Sequence, residues 1–61
     1  MPIIEVKLFE GRTREQKAEL ARRLTDAIVE VAGSPRSAVY VLFEDYPRAD
    51  WAEGGELCDQ R

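Results

Sequence analysis

The sequence contains no histidine and only one cysteine, Cys58, among its 61 residues. Without histidine, neither a Ser–His nor a Cys–His catalytic couple can form. One thiol allows no internal disulfide and cannot by itself make a zinc site, so we expect no metal ion. The candidate bases that remain are a carboxylate, a tyrosine, a lysine and the N-terminal amine. Cys58 lies in a polar C-terminal stretch, and we assign it no partner and no role.

Basic clusters and long apolar runs are also missing. Nine Lys and Arg residues stand against twelve Asp and Glu residues, and the formal net charge is −3. No basic block is available to replace phosphate counterions, which argues against a nucleic-acid partner. No apolar run approaches the roughly 20 residues of a membrane span, and the first residues lack a charged leader with a hydrophobic signal core. We therefore expect a cytoplasmic protein without a membrane partner.

The chain is short for a stable monomer. Its length allows one domain, residues 1–61. A domain of this size buries only about 60% of its unfolded-state surface, and small domains usually need disulfides, a metal or partner subunits. Because disulfides and metals are excluded and 44% of the residues are hydrophobic, we expect an obligate oligomer.

Apolar periodicity predicts a strand followed by a helix. The stretch from Pro2 to Phe9 alternates with period two, which is typical of a strand. Thr13 and Gln16 have the spacing of a capping box, so a helix is predicted to begin there and to run over Arg14–Ala32. Its apolar stripe, which has three- and four-residue spacing, consists of Ala18, Leu20, Ala21, Leu24, Ala27, Ile28 and Val31. Gly33 fits the position just past the helix end.

A second strand is predicted over Ala38–Glu44, and a short hairpin over Trp51–Leu57 around Gly54 and Gly55. Strand, helix and strand form one β-α-β unit, so the strands should be parallel with a right-handed crossover. The predicted fold class is α+β. One helix covers one face of a two-stranded sheet, and the open face predicts pairing with another copy.

Pro2 directly follows the initiator methionine. Methionine aminopeptidases normally remove Met1 before so small a residue, which would leave a secondary amine at the start of the first strand. Apolar walls and a nearby arginine both disfavour a charged amine and would lower its pKa toward the range of a general base. Taken alone, the dipeptide fits better a proline that only starts a strand.

A wider pattern accompanies this proline: the segment LFEGRTREQK (Leu8 to Lys17), the helix, the second strand and GGEL near the C-terminus. Together they resemble the 4-oxalocrotonate tautomerase family, in register from Pro2 to Leu57. The resemblance implies a tautomerase-like β-α-β fold, assembled as dimers into a hexamer, here a homo-oligomer. It also implies a cofactor-independent isomerase that moves protons within small enol or 2-oxo carboxylic acids, with the N-terminal proline as base.

The resemblance also implies roles for individual residues. Pro2 matches the general base, and Arg12, in the turn before the helix, matches an arginine that binds the substrate carboxylate. Trp51 stands where the family has a pocket aromatic. Tyr40 replaces the second arginine of the family; a phenol donates one hydrogen bond to an oxyanion but brings no positive charge. This departure puts 4-oxalocrotonate itself, a dicarboxylate, in doubt as the physiological substrate. Arg48 and Arg36 are candidates for a second cation, although solvated loop positions are the simpler interpretation.

Glu53 resembles a glutamate of the trans-3-chloroacrylic acid dehalogenase α subunit that activates water. An additional arginine of that subunit corresponds to Phe9 here, so its substrate-binding pair is incomplete. One alternative function is therefore a hydratase or dehalogenase of unsaturated acids that uses Pro2 and Glu53. In a simpler interpretation, Glu53 is an exposed hairpin carboxylate. A second alternative is a non-catalytic subunit or scaffold of a mixed hexamer.

Overall fold

The computed structural model describes residues 1–60, so the last residue of the predicted domain lies outside the described part of the chain. Its long elements are β1 (Ile3–Phe9), α1 (Arg14–Ala32) and β2 (Tyr40–Tyr46). Two short strands follow, β3 (Ala52–Glu53) and β4 (Glu56–Leu57). Single turns of 3₁₀ helix occur at Arg36–Ala38, Arg48–Asp50 and Cys58–Gln60.

The strands pair as the sequence predicts. β1 and β2 are parallel, with Ile3 opposite Tyr40 at one end and Phe9 opposite Tyr46 at the other. β3 and β4 are antiparallel around Gly54 and Gly55, whose φ angles of 61° and 84° favour glycine in a tight hairpin turn. These pairings confirm a β-α-β unit with a C-terminal hairpin and the α+β class.

The helix begins and ends where the sequence predicts. Thr13 Oγ1 accepts the Gln16 N–H at 3.1 Å, and Gln16 Oε1 accepts the Thr13 N–H at 2.9 Å. This reciprocal capping box satisfies two N–H groups at the helix start. At the other end Gly33 has a φ of 73°, and its N–H donates to the Val29 carbonyl at 3.2 Å. Both helix ends are thus set by local contacts.

The second strand starts two residues later than predicted. Ala38, the predicted first residue, closes a 3₁₀ turn in which its N–H donates to the Pro35 carbonyl at 2.9 Å. Side-chain alternation reports which face a residue occupies, but the ladder can begin only where a partner strand is present. Because β1 begins at Ile3, β2 begins opposite it and continues to Tyr46.

The two faces of the sheet differ in exposure. On the helix-covered face Ile4, Val6 and Phe43 are half-buried. On the other face Ile3 is 55%, Tyr40 48% and Leu42 50% exposed, whereas the far end of that face, at Phe9 and Tyr46, is half-buried. The predicted open face is therefore present in the single chain.

The predicted apolar stripe of the helix is only partly buried. Leu24 and Ile28 are half-buried, whereas Val31 is 87% exposed. Leu20 and Ala27, which lie on the same flank of the helix as Val31, are also exposed, so this flank is not covered in the single chain.

Cys58 corrects the prediction for the C-terminal stretch. It is 9% exposed and is the one buried residue within the described part of the chain. Its backbone N–H donates to the Trp51 carbonyl at 2.8 Å, and its thiol lies 3.6 Å from Glu53 Oε2. The final 3₁₀ turn folds this residue back against the hairpin, which composition alone does not indicate.

The chain is extended for its length. Its radius of gyration is 14.6 Å and its dimensions are 43 × 24 × 14 Å, whereas a compact chain of this length has a radius of gyration of about 10.5 Å. A single chain therefore has only a small hydrophobic core, and most of its apolar residues are no more than half-buried. Among residues 1–60 there is no helix with the length and apolar character needed to cross a membrane.

Candidate active site

Pro2 and Tyr40 lie together at the end of the sheet where both strands begin. The Tyr40 N–H donates to the Pro2 carbonyl at 3.0 Å. Pro2 is half-buried, whereas Met1 in front of it is 79% exposed. The bond to Tyr40 holds Pro2 against the sheet, and the Met1–Pro2 peptide is open to solvent.

Arg12 lies beyond the opposite end of β1. Its Nη1 donates to the Phe9 carbonyl at 3.1 Å. Its side chain borders a groove of about 370 Å³ that is also lined by Gln16, Glu19, Leu20 and Arg23. The seven residues of β1 span roughly 23 Å. Within one chain, Arg12 therefore cannot reach the same small substrate as Pro2.

Three aromatic residues and an arginine lie near Arg12. We call them the Phe9 cluster: Phe9, Tyr46, Trp51 and Arg48. The Trp51 ring centroid is 4.5 Å from that of Phe9, at an interplanar angle of 50°, and 5.8 Å from that of Tyr46, edge to face. Arg48 Cζ lies 4.5 Å from the Phe9 ring centroid. Beside the cluster is a shallow cleft of about 270 Å³, lined by Lys7, Tyr46, Asp50, Trp51 and Ala52.

The predicted site residues thus fall into two groups at opposite ends of the strand pair. Pro2 and Tyr40 form one, and Arg12 and Trp51 form the other. Glu53 lies on the hairpin that follows Trp51. Its Oε2 lies 3.6 Å from the Cys58 thiol, and it is not among the residues that line the two grooves.

Two arginines that were predicted to be solvated loop residues make side-chain contacts. Arg36 pairs with Asp26, which ties the 3₁₀ turn before β2 to the helix. Arg48 is exposed but stacks on Phe9. Sequence reasoning missed both contacts, because a long arginine side chain can reach several neighbours and only the folded chain selects one.

The helix also carries a surface charge network. Arg22 Nη2 lies 2.5 Å and Arg23 Nε 2.7 Å from Glu19 Oε2. Hydrogen bonds from Arg22 and then Arg23 lower the pKa of Glu19 from 4.5 to about 2. A depressed carboxyl pKa stabilises the fold above the ordinary pKa, and this contribution disappears as the pH falls through the lowered value. Solvent screening keeps it small at such an exposed position.

No group of three or more His, Cys, Asp or Glu side chains within residues 1–60 is arranged to hold a metal ion. The polar groups that line the grooves include guanidinium, ammonium, amide, phenol and carboxylate groups. This set can bind and orient a small carboxylate and can hydrogen-bond an oxyanion.

Comparison with known sequences agrees with the observed fold. A family model described as "Tautomerase enzyme" matches residues 2–61. A probable tautomerase from Lactococcus lactis subsp. lactis (strain IL1403) is 49% identical over 57 residues, which cover 93% of each chain. A probable tautomerase from Streptococcus pneumoniae serotype 4 is 46% identical and covers 93% of this chain and 95% of its own length.

Solved structures lead to the same family. The crystal structure of a 4-oxalocrotonate tautomerase homologue superposes with a TM-score of 0.92 at 39% identity, covering 100% of this chain and 97% of that one. A heterohexamer 4-oxalocrotonate tautomerase from Chloroflexus aurantiacus J-10-fl superposes with a TM-score of 0.90 at 33% identity, covering 98% and 97%. With the β-α-β unit, the C-terminal hairpin and the family match to residues 2–61, the chain belongs to the 4-oxalocrotonate tautomerase family of isomerases.

Proposed function

We propose that this isomerase is a cofactor-independent tautomerase of small enol or 2-oxo carboxylic acids, with the Pro2 amine as general base after Met1 is removed. The observation that carries the proposal is the 3.0 Å hydrogen bond from the Tyr40 N–H to the Pro2 carbonyl. It anchors the residue that would bear the amine and leaves its nitrogen at the exposed chain start. The family match, which begins at residue 2, supports the same starting point.

The proposed reaction is an internal proton transfer. The lone pair of the neutral Pro2 nitrogen takes a proton from one atom of the substrate, and the electron pair shifts along the conjugated system. The protonated nitrogen then returns the proton at a different carbon, so the substrate neither gains nor loses an atom. This cycle needs an amine with a pKa near the working pH, which a dry pocket and a neighbouring guanidinium both favour.

Three further residues serve this reaction in the proposal. Arg12 binds the substrate carboxylate, because a guanidinium presents two parallel N–H donors to its two oxygens. The Tyr40 hydroxyl donates a hydrogen bond to the oxyanion that develops as the proton moves. Trp51 forms an apolar wall that excludes water and strengthens these electrostatic interactions.

We propose that neighbouring copies complete the site, in a homo-oligomer such as a hexamer of three dimers. Pro2 and Arg12 lie at opposite ends of a strand that spans roughly 23 Å, so one substrate can contact both only where two chains meet. The open sheet face with Ile3, Tyr40 and Leu42 offers apolar surface for that contact. The Chloroflexus aurantiacus relative, which is described as a heterohexamer, supports this proposal. A cytoplasmic location stays a prediction.

The proposal is tested by pairing intact mass spectrometry with a ketonisation assay. Protein without Met1 should ketonise phenylenolpyruvate or 2-hydroxymuconate, followed by absorbance. We expect Pro2→Ala to lower kcat/KM by at least about a hundredfold, the usual share of a general base. Sedimentation should show the same oligomer for both proteins. Wild-type activity in Pro2→Ala, or full activity in protein that retains Met1, would refute the proposed role of the amine.

A further inference from the structure

An ion pair ties the residues just before β2 to the helix. Arg36 begins the 3₁₀ turn there, and its guanidinium pairs with Asp26 on α1. The Val39 N–H donates to the Arg36 carbonyl at 3.2 Å and closes the turn. The next residue, Tyr40, begins β2 and donates its N–H to the Pro2 carbonyl at 3.0 Å. One short segment therefore connects a contact with the helix to the backbone bond that holds the candidate base.

Asp26 is itself held in place by a second arginine. Arg22 Nη1 donates to Asp26 Oδ2 at 3.1 Å, while Arg36 binds Oδ1. Arg22 also donates to both carboxylate oxygens of Glu19, at 3.2 and 2.5 Å. An isolated surface ion pair contributes little to stability, but a network of several charges contributes more. The partner of Arg36 is therefore fixed on the helix before Arg36 reaches it.

The segment that Arg36 belongs to has few other restraints. None of residues 33–39 is buried, so packing holds the segment weakly. The bonds from Ala38 to Pro35 and from Val39 to Arg36 close the turn on itself and do not attach it to the helix. The pair between Arg36 and Asp26 does attach it, and it acts directly before the strand begins.

We propose that Arg36 is a positioning residue: through Asp26 it holds the turn that presents Tyr40 to Pro2. The inference rests on the proposed function, in which Pro2 takes the proton and the Tyr40 hydroxyl binds the oxyanion. Arg36 does not touch the substrate. A displacement of about 1 Å in a reacting group can cost much of its catalytic effect, so a loose turn lowers turnover although no catalytic group is removed.

Amide hydrogen exchange tests this directly. The Tyr40 N–H bonds to the Pro2 carbonyl at one end of the strand pair, and the Glu10 N–H bonds to the Tyr46 carbonyl at 2.9 Å at the other. Exchange measured by NMR on the oligomer reports how often each bond opens. We expect Arg36→Gln to speed exchange at Tyr40 about fivefold, the size of one ion pair in a network. Exchange at Glu10 should change less than about twofold, because it lies at the far end.

Lys17→Gln is the matched control. Lys17 Nζ lies 2.5 Å from Asp45 Oδ2, so this pair also joins the helix to β2, but near the end of the strand. The variant removes one positive charge and one ion pair, and Tyr40 exchange should stay within about twofold of wild type. Arg36→Lys, which keeps the charge and loses the fork, should fall between wild type and Arg36→Gln. Adding Arg36→Gln to Asp26→Asn should speed exchange no further, because both variants break one contact.

Kinetics give a second readout. Arg36→Gln should lower kcat for ketonisation about fivefold and change KM less than about twofold. The variant disturbs the end of the strand pair that holds Pro2 and Tyr40, whereas the substrate carboxylate is bound by Arg12 in the proposed function. A general loss of folded protein would instead lower the activity of Lys17→Gln as well.

Three results would overturn the inference. They are unchanged Tyr40 exchange in Arg36→Gln, equal acceleration at Tyr40 and Glu10 or in Lys17→Gln, and faster Tyr40 exchange with unchanged kcat. If the inference alone fails, wild type still ketonises its substrate and Pro2→Ala still loses activity. If the proposed function alone fails, ketonisation is absent in wild type, but Tyr40 exchange still depends on Arg36.

Discussion

The two ends of the parallel strand pair are built differently. Where the strands begin, a backbone hydrogen bond joins Tyr40 to Pro2, and exposed apolar side chains lie beside it. Where they end, side chains make the contacts: Trp51 and Arg48 pack on Phe9, and Arg12 bonds to its carbonyl. One end holds the candidate base and the other the candidate anion-binding groups. The strands hold the candidate base and the anion-binding groups apart. One substrate can therefore contact both only where chains associate.

The largest expected effect is the recovery of ketonisation when two inactive variants are mixed. This experiment tests whether the two ends act from different chains. Pro2→Ala disables one end and Arg12→Gln the other, and each homo-oligomer should lose at least about a hundredfold in kcat/KM. If each site takes Pro2 from one chain and Arg12 from another, random co-assembly should restore about a quarter of the sites. The measurement is ketonisation after joint unfolding and refolding of equal amounts.

The controls for this mixing experiment use the same proteins. Each variant refolded alone should stay inactive, and wild type refolded alone should recover its activity. A mixture that stays inactive although mass spectrometry shows mixed oligomers would mean that Pro2 and Arg12 act from one chain. The separation of the two ends would then have no functional meaning.

Trp51→Ala tests how much the Phe9 cluster stabilises its end of the sheet. Its expected effect, on the free energy of unfolding, is intermediate in size. Removing the indole exposes Phe9 and Tyr46 and should lower the free energy of unfolding by about 2 kcal/mol, as expected for a half-buried aromatic side chain. Trp51→Phe should recover more than half of the loss. Urea unfolding followed by circular dichroism checks this at fixed protein concentration. An unchanged midpoint in Trp51→Ala would show that the Phe9 cluster does not stabilise its end of the sheet.

Glu53→Gln has the smallest expected effect. Glu53 lies on the hairpin, and its carboxylate is near the Cys58 thiol. For a tautomerase, we expect ketonisation to change less than about twofold, the size of a surface substitution. The measurement is ketonisation in parallel with hydration of unsaturated acids and chloride release from chloroacrylate. Loss of hydration or chloride release, with ketonisation retained, would support the alternative hydratase or dehalogenase function.

The sequence predicted best those features that depend on neighbouring residues. The helix bounds were predicted to the residue, because Thr13, Gln16 and Gly33 act on backbone groups within one turn. The hairpin around Gly54 and Gly55 was predicted for the same reason. The strand order followed from connectivity, since a helix between two strands allows a parallel pair.

Features that depend on distant partners were predicted less well. The start of β2 is set by β1, and the exposure of Val31 depends on what packs against its flank of the helix. Burial of Cys58 requires the chain to fold back onto Trp51. The partners of Arg36 and Arg48 are selected by the fold, because their side chains reach several groups from one backbone position.

By itself, the sequence determined the β-α-β unit, its helix ends and its hairpin, because local capping, periodicity and turn chemistry act within a few residues and can be followed along the chain. The candidate residues Pro2, Arg12, Tyr40, Trp51 and Glu53 follow from the resemblance to the family and stay predictions. Only the tertiary structure decided that these candidates lie at two ends and that Arg48 joins the Phe9 cluster. Strand pairing joins residues that are far apart in the sequence. The distances between the candidate residues are therefore fixed only in the folded chain.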